Sequence, residues 1–276
     1  MYKEELSIFA TIKGIGSASG LVLKQHLLYV IGDNSAYLYQ YDITSKSLKK
    51  IEILAGLKTL ENIPKAEKPD FEVLCNYGDQ LYIMGSGSTA KRNLMVTFDL
   101  LSHQIMKHDL TELFSKIKVQ FAIDDDNLNI EGAIYNGSDW FLFNRGNGNA
   151  TKNGIFKIHG KDLKSANKMA FSPIMLLKTN QVLVTFTDAI LHQEQIYFIA
   201  AAEDTTSTYQ DGEIVGSYIG SINIKDLSLN FTKQISTHQK FEGITLLKQN
   251  AGNIEFLLCE DSDNDVLETT IYRLVL

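Results

Sequence analysis

Acidic and hydroxyl-bearing residues recur along this sequence at nearly constant spacing, each at the start of an apolar segment. The five positions are Ser19, Glu72, Glu131, Asp188 and Glu242, and the intervals between them are 53, 59, 57 and 54 residues. Carboxylate and hydroxyl oxygens are ligands that hard cations such as Ca²⁺ prefer. These positions, here called anchors, form a cation site if the fold brings them together.

The segments that follow the anchors indicate how they are positioned. A polar turn leads to a second apolar segment, in which Tyr29, Tyr82, Phe141 and Phe198 each lie ten residues after their anchor. Two further segments of alternating pattern follow in most copies. Four strands in each repeat of about 50 residues are typical of a β-propeller blade. The sequence therefore predicts an all-β, five-bladed β-propeller as a single domain over residues 1–276.

The two ends of the chain predict how the ring closes. The fifth copy reaches only its third strand, Thr269–Leu276, while Leu6–Ile12 forms an extra strand pattern before the first anchor. We expect this N-terminal strand to complete the last blade, which leaves no unpaired edge at the seam. An irregular β-sandwich is the alternative, but it does not account for five anchors.

The first strand of each propeller blade lines the central channel, so the anchors should meet at one mouth of it. Four carboxylates crowded there raise one another's pKa, and burial adds to that effect. Ca²⁺ would relieve the repulsion because it accepts six to eight oxygen ligands in loose geometry. Alternatively, the anchors bind ordered water or pair with nearby Lys and Arg side chains.

Basic and amide side chains near the same mouth are candidates for ligand binding. The loops after the second strands supply Lys91, Arg92, Asn144 and Arg145, and Lys68 and Lys240 precede two anchors. Arg145 lies between Asn144 and Gly146, so the backbone can approach a ligand closely. Guanidinium groups bind carboxylates and phosphates in a bidentate manner. Ordinary solvated surface residues are the alternative interpretation.

The ring of anchors on five blades resembles that of the calcium-dependent apyrases. In that family an axial Ca²⁺ is held by glutamates and serines, one from most blades. Ser19, Glu72, Glu131 and Glu242 match in residue type, whereas the fourth blade offers Thr187-Asp188 in place of a serine. The Glu-Gly strand starts are also similar to those of phytase-like and esterase-like propellers and of uncharacterised bacterial propellers. The resemblance implies Ca²⁺ as cofactor and hydrolysis of phosphoric esters as one activity.

Composition and missing motifs exclude several classes of function. The net charge of −7 argues against a nucleic-acid partner, and no apolar stretch is long enough for a membrane span. The N-terminal residues lack a signal-peptide pattern, and Cys75 and Cys259 stand apart, so we expect a cytoplasmic protein with two buried thiols, or an exported protein if a leader has been removed. The histidines show no zinc-hydrolase spacing.

Two hypotheses remain, and neither assigns a catalytic residue. The first is a propeller without assigned activity that holds Ca²⁺ at the channel mouth and binds a small molecule or a protein partner there. The second is a metal-dependent hydrolase of phosphoric or other esters, similar to apyrases or phytases.

Overall fold

The computed structural model describes residues 5–146, 152–204, 212–250, 252–261 and 266–276. Its strands form five separate antiparallel sheets, four with four strands and one with five. The innermost strands of neighbouring sheets contact one another in a closed ring. This arrangement confirms the predicted five-bladed β-propeller.

The strands follow one another in chain order through each blade. Strand β1 (Glu5–Lys13) belongs to the last blade. Blade 1 contains β2 (Ala18–Lys24), β3 (Leu27–Gly32), β4 (Tyr37–Asp42) and β5 (Leu48–Glu52). Blade 2 contains β6 (Phe71–Tyr77), β7 (Gln80–Gly85), β8 (Leu94–Asp99) and β9 (Ile105–Asp109). Blade 3 contains β10 (Ile130–Tyr135), β11 (Asp139–Asn144), β12 (Gly154–His159) and β13 (Met169–Pro173).

Blade 4 carries one extra short strand. It contains β14 (Lys178–Thr179), β15 (Val182–His192), β16 (Gln195–Asp204), β17 (Glu213–Asn223) and β18 (Leu229–Ser236). Blade 5 contains β19 (Phe241–Asn250), β20 (Asn253–Glu260), β21 (Glu268–Val275) and β1. Helix α1 (Thr111–Phe121) and two 3₁₀ turns, Ala90–Arg92 and Leu163–Ser165, lie between strands. None of the described helices is long and apolar enough to cross a membrane.

Strand β1 closes the ring. It pairs with β21 in antiparallel register from Glu5 opposite Val275 to Lys13 opposite Glu268. Ile12 on this strand is buried in the apolar core that blades 5 and 1 share. The predicted closure of the last blade by the N-terminal strand is therefore confirmed.

Apolar side chains fill the spaces between neighbouring blades. The aromatic residues ten positions after the first three anchors, Tyr29, Tyr82 and Phe141, are buried, as is Phe198 in blade 4. Trp140 is fully buried and stacks on Tyr135, with ring centroids 4.7 Å apart. Packed aromatic rings contribute both buried area and edge or stacking contacts. The core is thus formed between blades, which leaves the inner strand edges to line the channel.

Every blade has a β-bulge in the strand that lines the channel, and the bulged residue is the anchor. The pairing with the second strand skips Ser19, Glu72, Glu131, Thr187 and Glu242. A bulge leaves one residue out of the ladder and changes the direction of its side chain. Thr187, rather than the expected Asp188, therefore occupies the anchor position of blade 4, because Phe186 and Asp188 pair with consecutive residues of β16.

Candidate functional site

The bulges bring three of the anchors into one cavity at the mouth of the channel. Glu72, Glu131 and Glu242, from blades 2, 3 and 5, line a cavity of about 100 Å³. The other lining residues are Asp33, Lys65, Lys68, Asp70, Arg92, Asn129, Arg145, Lys240 and Asp261. All of these side chains are polar or charged, and we call this site the charged mouth.

A repeated backbone contact accounts for several of the positions that line the charged mouth. In four blades, the residue after the second strand donates its backbone N–H to the carbonyl two residues before the anchor. The pairs are Asp33 with Ser17, Ser86 with Asp70, Arg145 with Asn129, and Asp261 with Lys240. Each of these four blades therefore presents two further side chains beside its anchor, and all of them except Ser17 and Ser86 line the charged mouth. Arg145 and Lys240 among them were predicted from the sequence, whereas Asp33, Asp70 and Asp261 were missed, although this positional rule would have found them.

The two hydroxyl-bearing anchors join neighbouring blades. The Ser19 hydroxyl donates to the Phe71 carbonyl at 2.5 Å, and the Thr187 hydroxyl donates to the Phe241 carbonyl at 2.7 Å. Each acceptor precedes the anchor glutamate of the next blade, and both hydroxyl side chains are 1% exposed. In the structure these hydroxyls satisfy carbonyl groups on the inner strand edges and do not line the charged mouth.

Asp188 also lies outside the charged mouth, inside the channel wall. Its carboxylate accepts hydrogen bonds from the backbone N–H groups of Ala189 at 2.7 Å and Ile244 at 2.9 Å. Burial raises the pKa of Asp188 well above its usual value, and the two N–H donors only partly oppose this effect. Gly132 packs against Asp188 so closely that an added Cβ would lie 2.9 Å from its Oδ1. Asp188 therefore links blades 4 and 5 below the mouth.

Replacement of either hydroxyl anchor should affect stability alone. Ser19→Ala and Thr187→Val leave a buried carbonyl without its donor, so each should lower the free energy of unfolding by about 1–3 kcal/mol. Urea denaturation measures this loss, and Ser19→Thr, which keeps the hydroxyl, serves as the control. Loss of cation binding without loss of stability would instead identify Ser19 as a ligand.

Two of the anchor glutamates form ion pairs with buried basic side chains. Arg145 is 9% exposed, with its guanidinium 2.5 Å from the carboxylate of Glu203 and 3.5 Å from that of Glu131. The Lys240 ammonium lies 2.8 Å from Glu242 and 3.5 Å from Glu203. Burial alone would raise the pKa of Glu203, but Arg145 and Lys240 outweigh it and lower the pKa to about 2. Glu131 and Glu242 therefore pair with Arg and Lys side chains, as the alternative interpretation of the anchors predicts.

A second group of charges surrounds Asp70. Its carboxylate accepts from Arg92 at 2.8 Å, from Lys68 at 2.9 Å and from the Ser86 hydroxyl at 2.5 Å. Lys68 also contacts Asp33 Oδ2. Burial lowers the pKa of Lys68, but the carboxylates of Asp33 and Asp70 reverse this and hold the lysine charged. Asp70 is therefore held by two cationic side chains and one hydroxyl.

The charged mouth also contains carboxylate oxygens that lack donors. Glu72 makes no hydrogen bond or ion pair with the described residues, and Asp33 Oδ1 is buried without a partner among them. Burial, followed by the charges of Asp70, Glu131 and Glu242, raises the pKa of Glu72 well above its usual value. Burial also raises the pKa of Glu131 to about 7, although Arg145 opposes it. Such an excess of carboxylates can accept an added cation.

The predicted ligand-binding residues divide into two groups. Arg145 and Arg92 line the charged mouth. Lys91 is exposed outside it and donates to the Ala66 carbonyl at 3.0 Å. Asn144 is fully buried, and its amide donates to the carbonyls of Asn127 and Lys152. Asn144 therefore connects the backbone on either side of Arg145, at Asn127 and Lys152. Lys91 contacts the segment that precedes blade 2.

Solved structures with similar folds have different activities. The chain is similar to Myxococcus xanthus glutaminyl cyclase, with a TM-score of 0.53, 11% identity and coverage of 98% of this chain and 97% of that one. It is also similar to the PQQ-bound aldose sugar dehydrogenase of Streptomyces coelicolor, with a TM-score of 0.53, 11% identity and 99% of both chains covered. An exo-1,5-α-L-arabinanase from a bovine ruminal metagenomic library has a TM-score of 0.52 and 12% identity, with 95% and 92% covered.

At these identities the likeness shows the fold alone, because one fold carries many chemistries. No curated protein matches the sequence. Residues 14–276, which include every residue of the charged mouth, match a family defined by sequence. The chain therefore belongs to the family of unknown function DUF6929.

Proposed function

We propose that this propeller binds a divalent cation, with Ca²⁺ as the best fit, at the charged mouth, and that a small anionic molecule binds over it. The observation that carries the proposal is the set of unpartnered oxygens on Asp33 and Glu72 beside Asp70. Ligand atoms of these three carboxylates all lie within 4.8 Å of one another. Ca²⁺ binds oxygens at about 2.4 Å, so ligands on opposite sides of one ion are about 4.8 Å apart.

The charge balance of the mouth also supports a cation. Six carboxylates line the cavity, against five lysine and arginine side chains, and Glu203 adds a further negative charge behind Arg145. The pKa of Glu72 is raised by burial and by four neighbouring carboxylates, those of Asp70, Glu131, Glu242 and Asp33. A divalent ion would lower that pKa again, because an opposite charge nearby favours the ionised form. The donor set, hard oxygens in an irregular arrangement, fits Ca²⁺ better than Mg²⁺.

Lys68 is the main competitor of a bound cation. Its ammonium contacts Asp33 Oδ2 and Asp70 Oδ1, which leaves Asp33 Oδ1 and Glu72 available. Removal of this lysine charge therefore gives a second, opposite test of the site.

Glu72→Gln should weaken Ca²⁺ binding at least about tenfold, because it removes a charged ligand while retaining the shape of the side chain. Calorimetric titration with Ca²⁺ at pH 7.5 measures the affinity, and the shift in melting temperature between EDTA and Ca²⁺ measures it independently. Glu52→Gln, on the outer strand of blade 1, is the matched control and should change neither value.

Lys68→Met should act in the opposite direction. Without Ca²⁺ the variant should melt at a lower temperature, because Asp33 and Asp70 lose a buried cation. With Ca²⁺ the increase in melting temperature should exceed that of the wild type. Equal affinity in the wild type, Glu72→Gln and Lys68→Met, or no Ca²⁺ effect on any of them, would refute the site.

Hydrolysis of a phosphoric ester is the second candidate function, favoured by the position of Arg92 and Arg145 in the same cavity as the carboxylates. A metal-bound phosphoryl group would lie near both guanidinium groups, which suit its charge and geometry. Assays with nucleoside diphosphates and p-nitrophenyl phosphate, in Ca²⁺ and in EDTA, test this activity. Ca²⁺ binding without hydrolysis of these substrates would support the binding function and refute the hydrolase hypothesis.

A further inference from the structure

The channel has a second cavity at its other end, chemically unlike the first. The charged mouth lies at the starts of the innermost strands, whereas this cavity lies near their ends. Its walls come from the innermost strands of all five blades, including Val22, Leu74, Ile134, Ile190 and Thr245. We call it the far cavity. Its volume is about 320 Å³, within the range of small-molecule sites in proteins.

The walls of the far cavity are neutral. They consist of aliphatic and aromatic side chains with a few uncharged polar groups, and the described lining residues include no Asp, Glu, Lys, Arg or His. Tyr77 and Tyr135 stand on one side, with their rings in edge contact at 5.1 Å. Lys24 reaches the rim, where its ammonium donates to the Gly78 carbonyl at 2.9 Å. A charged molecule would lose its hydration here without gaining a counter-ion inside.

Among the polar groups in the walls, Thr245 and Asn76 have unused hydrogen-bonding capacity. Thr245 is 6% exposed, and its oxygen accepts the backbone N–H of Leu23 at 3.0 Å. Its own hydroxyl hydrogen has no acceptor among the described residues. The side-chain amide of Asn76, from blade 2, likewise makes no hydrogen bond within the described chain. A buried donor without an acceptor is costly, so a ligand oxygen beside Thr245 would be favourable.

We propose that the far cavity is a second binding site, specific for a neutral small molecule with a compact apolar body and a hydroxyl or carbonyl oxygen. The apolar body packs on the aliphatic and tyrosine side chains, and the oxygen accepts from Thr245 and contacts the Asn76 amide. The site is separate from the charged mouth and does not depend on the function proposed there.

Trp140 provides an internal reporter for this site. It is the single tryptophan of the chain, and it stacks on Tyr135, which lines the far cavity. Cyclohexanol is a suitable probe because it is neutral, compact and transparent where tryptophan absorbs. Titration of the full chain should give a saturable change in Trp140 emission with a Kd on the order of 1 mM, an ordinary value for a ligand of this size.

Variants of the two polar groups test the assignment. Thr245→Val and Asn76→Leu should each weaken cyclohexanol binding about fivefold, which corresponds to the loss of one hydrogen bond. Thr245→Ser should retain binding, and Glu72→Gln, at the charged mouth, should leave it unchanged. Asn76 is only half-buried, so its variant should fold even if Thr245→Val does not.

The charged analogue tests the ligand class. Cyclohexanecarboxylate should bind much more weakly than cyclohexanol, since the walls of the far cavity supply no counter-ion. Equal binding of the two compounds would overturn the proposal. No saturation up to about 50 mM cyclohexanol, fifty times the expected Kd, would also overturn it, as would affinities that neither Thr245→Val nor Asn76→Leu changes.

Discussion

A variant that begins at Gly14 should fail to form a stable monomer, because it lacks strand β1. This strand supplies the complete outer ladder of blade 5, from Glu5 opposite Val275 to Lys13 opposite Glu268. Its removal exposes the edge of β21 and uncovers the core around Ile12. An unpaired apolar edge promotes association with other chains. We expect aggregation or loss of the cooperative melting transition, measured by size-exclusion chromatography and circular dichroism.

A circular permutant is the matched control for this truncation. Joining Leu276 to Met1 and opening the chain between Lys13 and Gly14 retains every residue. Since Val275 and Glu5 are register partners, the new connection between them contains five residues, within the usual hairpin length of roughly two to five residues. The permutant should melt cooperatively near the wild-type temperature. If the truncated chain is as stable as the permutant, β1 does not stabilise the ring.

Arg145→Met should lower the free energy of unfolding by about 3–5 kcal/mol at pH 7, because it leaves buried carboxylates without their partner. Glu203 loses a contact of 2.5 Å and Glu131 one of 3.5 Å, while Lys240 remains 3.5 Å from Glu203. Urea denaturation measures the loss. Arg273→Met is the control, because its side chain is 36% exposed and its ion pair with Glu255 should contribute about 1 kcal/mol or less.

The effect of Arg145→Met should depend on pH in a defined direction. In the wild type the pKa of Glu203 is lowered from 4.5 to about 2, so the folded state binds fewer protons than the unfolded state between these values. The resulting stabilisation is complete above about pH 4.5 and is lost as the pH falls towards 2. The difference between wild type and variant should therefore be largest at neutral pH and shrink on acidification. A difference independent of pH would mean that Arg145 acts through packing and not through its charge.

The positions of the strands follow from local patterns, which is why the fold could be predicted. Apolar alternation and turn residues are properties of short segments. The interval of 53 to 59 residues between anchors can be read directly along the chain. A blade is built from consecutive hairpins, so its strands pair with sequence neighbours. The closing strand could be predicted as well, since blade 5 lacked one strand and residues 6–12 were not used elsewhere.

The site could be predicted only in part, because its residues come from different blades. Glu72, Glu131 and Glu242 were identified from the repeat, and Arg145 and Arg92 from the loops. Asp33, Asp70 and Asp261 were missed, since none of them is an anchor. Asp33 approaches Glu72 from blade 1, so that distance depends on how blades 1 and 2 pack, whereas Asp70 and Asp261 lie beside anchors through backbone contacts of their own blades. The choice between Thr187 and Asp188 also required the structure, because a bulge shifts the register by one residue and the two polar residues are adjacent.

The sequence by itself determined the architecture of this protein, four of the five anchors and the abundance of carboxylates near one end of the channel. Only the tertiary structure decided which of those carboxylates are paired. Arg145 and Lys240 form ion pairs with Glu131, Glu203 and Glu242, and the hydroxyls of Ser19 and Thr187 donate to backbone carbonyls, while Glu72 is left without a donor among the described residues. The physical reason is the distance along the chain over which each kind of interaction acts. Strand patterns act between neighbours in sequence, whereas an ion pair requires two atoms within about 4 Å, and that distance is set by how separate blades pack.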